Sequence, residues 1–452
     1  KNKILLNNGD IKKTQIKWSY PISMNNARLS KFESSIEDLI DKYLKPKDLP
    51  KRITESIAPF QYLIKKEGIS SLDKPVASID IGGGTTDIVI YNNDVPQIIT
   101  SFRYGANAIF GDGYNKPSSS NGFIKTRSKI DNILEENNEL DLQAILKGLS
   151  SNKSEDISTF LFSLETNKNL NDKNVPLSYS AILSDSGDLK TVFLFYYSSI
   201  IYHLAKLMIA NNLEAPKYVT FSGNGSKLLS IIDNSRQSRI INEFTKLIFE
   251  KVYAQNLAPI TIKQYKNPKE ITCKGMLYST TELDVLKLKY TLLGDKNNSE
   301  NIKYTEIETV KVGVLEETTD FINLFFDLNK EFSFKDNFEI NIDKLNNYRE
   351  YALGELKGEL LLGIQNKLDE LEGELDTEIS EPLFFYPLVG ILNSLASHIS
   401  KNAPTMSLDP KSSTDLPKEK QIFYVNKVSK EGRFYLSSLT QSCTENSLYK
   451  IT

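Results

Sequence analysis

Cysteine and histidine are scarce in this 452-residue chain, which has two of each: Cys273, Cys443, His203 and His398. The cysteines lie far apart and outside any metal-ligand spacing, which argues against a zinc site and against a disulfide framework. Both histidines stand in apolar helical contexts, where a structural histidine is the expected role. We therefore look elsewhere for chemistry and expect a reducing, cytoplasmic location.

Runs of one charge are also absent. The chain carries 55 Lys+Arg against 58 Asp+Glu, a net charge of −3, and it has no arginine-rich arm. Nucleic acid is therefore not an expected partner.

Residues 191 to 213 have the length of a membrane span, but Ser198, Ser199, His203 and Lys206 interrupt the apolar run. We predict a buried core helix there and no association with a membrane.

The most informative segment is "SIDIGGGTTDIVIY", residues 78 to 91, in which a glycine run separates two β-branched, apolar stretches. The pattern predicts a strand, a tight turn and a second strand. Adjacent glycines can turn successive N–H groups toward one anion. Asp80 would suit such a site if a cation stood between it and a phosphate, as hydrated Mg²⁺ does. The alternative is a glycine-rich hairpin with capping aspartates.

"DIGGGTTD" resembles the second phosphate motif, D-hydrophobic-G-G-G-T-x-D, of the actin, sugar kinase and heat-shock chaperone ATPase superfamily. The resemblance implies ATP or ADP, with Mg²⁺, as cofactors. It also implies that Asp80 is the metal-binding residue, acting through the metal's water shell, and that Asp87 organises the loop or the attacking water. The implied phosphate-binding residues are Gly82, Gly83, Gly84, Thr85 and Thr86.

A second turn has the form of that superfamily's adenosine-binding segment. In "APKYVTFSGNGSKLLSII", residues 215 to 232, a strand runs into a small-residue turn and then into an apolar-periodic helix. Glycines there would let the backbone approach the ribose and the α-phosphate near a helix N-terminus. The nucleotide-binding residues implied are Gly223, Asn224, Gly225 and Ser226. The superfamily usually has adjacent glycines, so the alternative is an ordinary strand-to-helix connection.

Two weaker matches extend the resemblance over residues 15 to 280. "TESIAPFQYL" puts Glu55 where the chaperones have a glutamate near the metal's waters, although a glutamate there could simply complement a helix dipole. "YKNPKEITCKGMLYS" puts Pro268 at a helix start and Gly275 inside that helix, as in the last helix of the chaperone nucleotide domain. The implied catalytic residues are Asp80, Asp87 and Glu55.

The superfamily's first phosphate hairpin, a D-x-G-x-x-x-T-like turn, has no counterpart in residues 1 to 60. We expect that the numbered chain begins inside the first domain. The alternative is a protein that lacks half of its phosphate clamp. ATP hydrolysis is expected only if that hairpin exists, whereas nucleotide binding could survive without it.

The implied fold class is α/β, with ribonuclease H-like, actin-type domains in which helices flank mixed sheets. We expect residues 1 to 74 to be the remainder of a first domain, and residues 75 to 280 to form a second domain with a helical insert at about 106 to 190. Residues 281 to 400 are predicted to form an α+β C-terminal extension, with strands before about residue 342 and helices after it. Residues 401 to 452 are predicted to be a linker and a hairpin.

The favoured function is a bacterial ATPase whose cleft closes on Mg-ATP and signals to a protein partner, or to a second copy, through the C-terminal third. A filament-forming cytoskeletal protein and a non-hydrolysing scaffold with an actin fold are the alternatives. A small-molecule kinase is a fourth hypothesis, for which the sequence suggests no acceptor site.

Overall fold

Two β-sheets of different size organise the protein. The computed structural model describes residues 1–402 apart from 23, 25, 115, 150–151, 234–238, 266 and 280–284. A two-stranded parallel sheet lies in the N-terminal part, and a five-stranded mixed sheet forms the centre. The strands are β1 (Lys17–Tyr20), β2 (Lys51–Thr54), β3 (Val76–Ile81), β4 (Thr86–Asn92), β5 (Val95–Phe102), β6 (Tyr218–Ser222) and β7 (Thr261–Lys263).

The central sheet has the strand order β5-β4-β3-β6-β7. Strands β3, β4 and β5 form an antiparallel meander, whereas β6 and β7 run parallel to β3. Strand β3 is central and almost entirely buried, which explains its nearly continuous apolar sequence. The mixed α/β fold class and the strand-turn-strand prediction for the glycine segment are both confirmed.

Helices make up most of the remaining described residues. Those predicted within the insert, around residues 125 to 165, are found as three consecutive helices. The helices are α1 (Asn2–Leu6), α2 (Asn26–Tyr43), α3 (Ala58–Tyr62), α4 (Asn107–Phe110), α5 (Arg127–Glu136), α6 (Leu140–Gly148), α7 (Ser154–Leu164), α8 (Lys168–Asp172), α9 (Tyr179–Ser184), α10 (Gly187–Ala210), α11 (Leu229–Ile232), α12 (Arg239–Tyr253), α13 (Pro268–Tyr278), α14 (Ile307–Leu328), α15 (Phe334–Phe338), α16 (Leu345–Glu370) and α17 (Phe385–Asn402).

Helix α10 is the core helix predicted for residues 191 to 213. Its residues are buried on all sides, and it belongs to the same hydrophobic cluster as Ile79 and Ile88 of the central sheet. Among the described residues it is the one helix long and apolar enough to cross a membrane, judged by length and composition alone. Because it is buried around its whole circumference, its apolar sequence is explained by packing.

The opposite face of the central sheet packs against helix α3. Val76, Val89 and Tyr91 of the sheet share a cluster with Phe60 of the helix. The rings of Phe60 and Tyr91 stack with their centroids 3.6 Å apart. This contact holds α3, and with it the turn that precedes α3, against strand β4.

Helices α3 and α13 touch at a glycine. A Cβ built on Gly275 would lie 1.7 Å from the carbonyl oxygen of Ala58, so only glycine permits this approach. Pro268 occupies the first turn of α13, as its fixed φ favours. The helix start predicted at Pro268 and the position of Gly275 inside that helix are confirmed.

The strands predicted before residue 342 are wrong, because residues 307 to 328 form a single helix, α14. The alternation of Val310, Val312 and Val314 suggested a strand with all three on one face. In the helix, Val310 and Val314 are buried whereas Val312 is 65% exposed. Ile307, Val310 and Val314 therefore follow a helical period and line the buried side of α14.

The helices predicted after residue 342 are found as α16 and α17. In α16 the buried residues include Leu345, Tyr348, Ala352, Leu356, Leu360 and Ile364. Helix α17 packs along α16 and α10, so the apolar segment around residues 382 to 400 is core. Lys401 and Asn402 end α17 instead of beginning a linker, and the hairpin predicted near residue 430 lies outside the described residues.

His203 on α10 should make stability depend on pH. It lies among Phe102, Phe384 and Phe385, with the Phe385 ring centroid 4.9 Å away. Burial lowers its pKa from 6.5 to about 3. Below pH 6.5 the unfolded chain therefore binds a proton that the folded chain refuses, so stability is lost as pH falls from 6.5 toward 3.

The contribution of His203 alone should reduce the free energy of unfolding by roughly 2 kcal/mol when the pH is lowered from about 6.5 to about 5. Urea denaturation of the wild type and of His203→Gln at both pH values measures this effect. The variant should show the smaller pH dependence, and equal pH dependence in the two proteins would contradict the assignment.

Candidate functional site

The glycine turn between β3 and β4 presents backbone N–H groups outward. The carbonyl oxygens of Gly82, Gly83 and Gly84 accept hydrogen bonds from the amides of residues 106, 107 and 105, at 3.0, 2.7 and 3.3 Å. Trans peptide groups point C=O and N–H in opposite directions, and the described chain has no cis peptide bond. The amides of Gly83, Gly84 and Thr85 therefore point away from residues 105 to 107. Successive amides arranged in this way could hold one anion.

The chain itself does not require glycine at two of these positions. Gly83 and Gly84 are exposed, and neither has a positive φ. A Cβ on Gly84 would meet no atom within 4 Å, and one on Gly83 would make only ordinary contact with Asn107. Neither backbone conformation nor internal packing explains the bare backbone there. A ligand that lies against the turn would explain it.

By contrast, Gly105 is required by the chain's own packing. A Cβ there would lie 2.6 Å from the carbonyl oxygen of Gly83 and 2.8 Å from that of Gly82. This glycine allows residues 105 to 107 to pass directly beneath the turn and hold its carbonyl groups. The conformation of the turn is therefore set by a segment that sequence analysis had not assigned to the site.

Two aspartates lie directly opposite each other at the end of this hairpin. Asp80 of β3 pairs with Asp87 of β4, and their outer neighbours in register are Ser222 of β6 and Ser101 of β5. Directly opposed residues share a face of the sheet, so the four side chains form one polar row across four strands. Like charges placed directly opposite each other are unfavourable, and Lys289 lies close enough to Asp87 to offset part of this charge.

Hydroxyl groups orient both carboxylates. The Ser222 hydroxyl donates to Asp80 at 2.9 Å. Asp87 accepts from Ser101 at 2.6 Å and from Ser56 at 2.7 Å, one serine on each oxygen. Burial raises the pKa of Asp87, while the hydrogen bonds from Ser101 and Ser56 act in the opposite direction. The serines thus favour the ionised form of a carboxylate that burial penalises.

The second predicted turn, residues 223 to 226, contacts the glycine turn. Gly223 has a φ of +76°, and a Cβ on it would lie 2.4 Å from Asp80 Oδ1. A Cβ on Gly225 would lie 2.8 Å from the carbonyl oxygen of Gly82. Asn224 is exposed, and Ser226 is buried with its hydroxyl donating to the Gly223 carbonyl at 2.7 Å. The two turns predicted from the sequence therefore form one surface, with both glycines needed for the contact.

The remaining predicted residues differ in placement. Thr85 lies in the turn and is partly exposed. Thr86 is fully buried and its hydroxyl donates to the Tyr104 carbonyl at 2.7 Å, so its predicted role as a phosphate donor is corrected. Glu55 is exposed and accepts a hydrogen bond from Ser19 at 3.1 Å. It is close enough to Asp87 to raise that group's pKa, and its catalytic role stays a prediction.

The donor set suits hydrated Mg²⁺ better than a fully protein-bound ion. Among the described residues no group of three or more His, Cys, Asp or Glu side chains is arranged as a metal site. Mg²⁺ keeps several waters and binds through one or two carboxylates together with phosphate oxygens. Asp80 and Asp87 could hold such an ion.

In the described part of residues 1 to 74, the only glycines are Gly9 and Gly68, and neither lies in a hairpin.

Comparisons with known proteins give likenesses only among solved structures. No protein family matches the chain, and no curated protein matches it. It is similar to the ethanolamine utilization protein EutJ from Carboxydothermus hydrogenoformans, at 12% identity and a TM-score of 0.27, over 59% of this chain and 66% of that one. It is also similar to MreB5 of Spiroplasma citri bound to ADP, at 15% identity and a TM-score of 0.27, over 61% and 70%.

A third similar structure is Ta0583, an archaeal actin homolog, at 15% identity and a TM-score of 0.25, over 61% of this chain and 72% of that chain. The chain spans about two thirds of the length of EutJ and MreB5. At such identities and TM-scores, the chemistry of the site rests on its own geometry.

Proposed function

We propose that this chain is an actin-fold nucleotide-binding switch. The β- and γ-phosphates of ATP would lie against the glycine turn, and the adenosine would lie along residues 223 to 226. The observation that carries the proposal is the bare backbone at Gly83 and Gly84, which the chain's own packing does not need. Three outward amides beside two opposed aspartates suit a phosphate chain that arrives with a cation.

Bound Mg²⁺ would neutralise charge on the phosphate oxygens. In this proposal Asp80, fixed by Ser222, faces the metal's water shell. Asp87, held on both oxygens by serines, orients water near the terminal phosphate. Water is the proposed acceptor because, in the part of the chain that the structure describes, no side-chain cluster at the site suggests a sugar or another acceptor hydroxyl. Nucleotide binding is thus the primary activity, and hydrolysis is a second step that requires a positioned water.

We propose that the C-terminal helices transmit a change at the site to a protein partner. Arg103, two residues before the segment that holds the glycine turn, forms an ion pair with Glu370 at the end of α16. The Tyr114 hydroxyl donates to the Tyr386 carbonyl of α17 at 2.6 Å. A nucleotide that shifts the turn would therefore act on helices α16 and α17 through residues 103 to 114. We propose that a partner protein reads this shift on the C-terminal helices.

Phosphate release on adding Mg-ATP, measured together with sedimentation, tests the proposed function. A soluble switch should bind ATP and remain in the supernatant. Pelleting that depends on ATP would instead support a filament-forming protein. Consumption of ATP only when a small-molecule acceptor is added would overturn the proposal in favour of a kinase.

Asp80→Ala should weaken Mg-ATP binding by about 10- to 100-fold while leaving the fold intact, because the variant removes one of the two opposed carboxylates. Titration of a fluorescent ATP analogue measures the affinity. Asp73→Ala is the matched control, since Asp73 is exposed and lies before the other end of β3. Unchanged affinity in Asp80→Ala would remove this residue from the site.

A further inference from the structure

We propose that Ser56 is a positioning residue for Asp87 and therefore for the metal-bound phosphates. This inference rests on the proposed nucleotide site and adds a residue from a different part of the chain. Ser56 lies in the turn between β2 and α3, 31 residues before Asp87. The neighbouring Glu55 was the residue that the sequence had suggested there.

The contact is buried and well formed. Ser56 is 2% exposed, and its hydroxyl donates to Asp87 Oδ2 at 2.7 Å. The other oxygen, Oδ1, accepts from Ser101 on the adjacent strand at 2.6 Å. With a donor on each oxygen, the Asp87 carboxylate cannot rotate without losing a hydrogen bond. Loss of Ser56 would free one side of it.

The backbone around Ser56 is anchored to the same strand that carries Asp87. The Tyr91 hydroxyl donates to the Ile57 carbonyl at 3.3 Å, and the ring of Phe60 stacks on Tyr91. Strand β4 therefore contacts the turn between β2 and α3 at a second point, Tyr91, four residues beyond Asp87. Ser56 is delivered to the carboxylate by a rigid segment, which is the arrangement that a positioning group requires.

Glu55 does not share this role. Its side chain is exposed and accepts from Ser19 of β1, whereas the Ser56 side chain is buried against the sheet. The two adjacent residues of the turn thus face different surroundings. The N-terminal part of the chain therefore contacts the paired aspartates directly, through the hydrogen bond from Ser56 to Asp87.

The test compares ATP affinity with and without Mg²⁺ in Ser56→Ala, Ser56→Thr and the wild type. Ser56→Ala should lose about tenfold in the Mg²⁺-dependent affinity with little change in the Mg²⁺-free affinity. Ser56→Thr keeps the hydroxyl and should restore binding. A merely structural role would instead lower stability without changing the dependence on Mg²⁺.

Ser71→Ala is the matched control, because Ser71 is also buried and its hydroxyl donates to a carboxylate, that of Asp94 at 3.2 Å, away from the site. It should leave the Mg²⁺ dependence unchanged. Wild-type Mg²⁺ dependence in Ser56→Ala would overturn the inference and leave the proposed function standing. A wild-type chain that binds no ATP with or without Mg²⁺ would overturn the proposed function, and this inference with it.

Discussion

Gly84→Val is expected to abolish most ATP binding while leaving the stability of the protein nearly unchanged. The Cβ of the added side chain would meet no atom of this chain within 4 Å, so folding should tolerate the substitution. It would, however, stand in front of the outward amides of the turn. Each charge-assisted hydrogen bond contributes about 1.5–3 kcal/mol, so losing two should weaken binding by at least about 100-fold.

Calorimetric titration of Mg-ATP, together with urea denaturation, measures both parts of this prediction. Gly358→Ala is the control, because Gly358 also has no neighbour within 4 Å of an added Cβ but lies on α16. It should change neither affinity nor fold. Retained ATP affinity in Gly84→Val would mean that no ligand lies against the turn.

Gly275→Ala is expected to lower the free energy of unfolding by about 2 kcal/mol. The new Cβ would lie 1.7 Å from the Ala58 carbonyl oxygen, so α13 would have to move away from α3. Overpacking of this kind typically costs about 1–3 kcal/mol. Alanine is the better helix former by about 1 kcal/mol, so any net loss reports the helix contact and not helix propensity.

A matched substitution on another helix isolates that contact. Gly354→Ala lies within α16, where an added Cβ meets nothing within 4 Å, and it should stabilise the protein slightly. Urea denaturation of both variants gives the comparison. If Gly275→Ala were as stable as Gly354→Ala, the close approach of α3 and α13 would not be a constraint on the fold.

The glycine turn and the second turn could be predicted because their signals are local. A glycine run between β-branched segments indicates a tight turn whatever surrounds it, and a strand followed by Gly223 and Gly225 indicates a close backbone approach. The burial of Thr86 could also have been predicted from the sequence. It precedes Asp87 on a strand, so the two side chains must face opposite sides of the sheet.

Other parts of the site depend on contacts distant in sequence. Ser101 faces Asp87 only because the β4–β5 hairpin has a particular register, and Ser56 reaches it from a separate element. No local pattern marks either serine. Helix α14 was missed for another reason: a short alternation of valines fits both a strand and one side of a helix, and packing against the core decides between them.

Calorimetric titration of ATP into this chain, with Mg²⁺ and then with a chelator, tests the central claim most directly. We predict saturable binding that is markedly tighter with Mg²⁺, because the outward amides and the opposed aspartates act together on a metal-bound phosphate chain. Absence of binding under both conditions would contradict the account, and the bare glycine turn would then need another explanation.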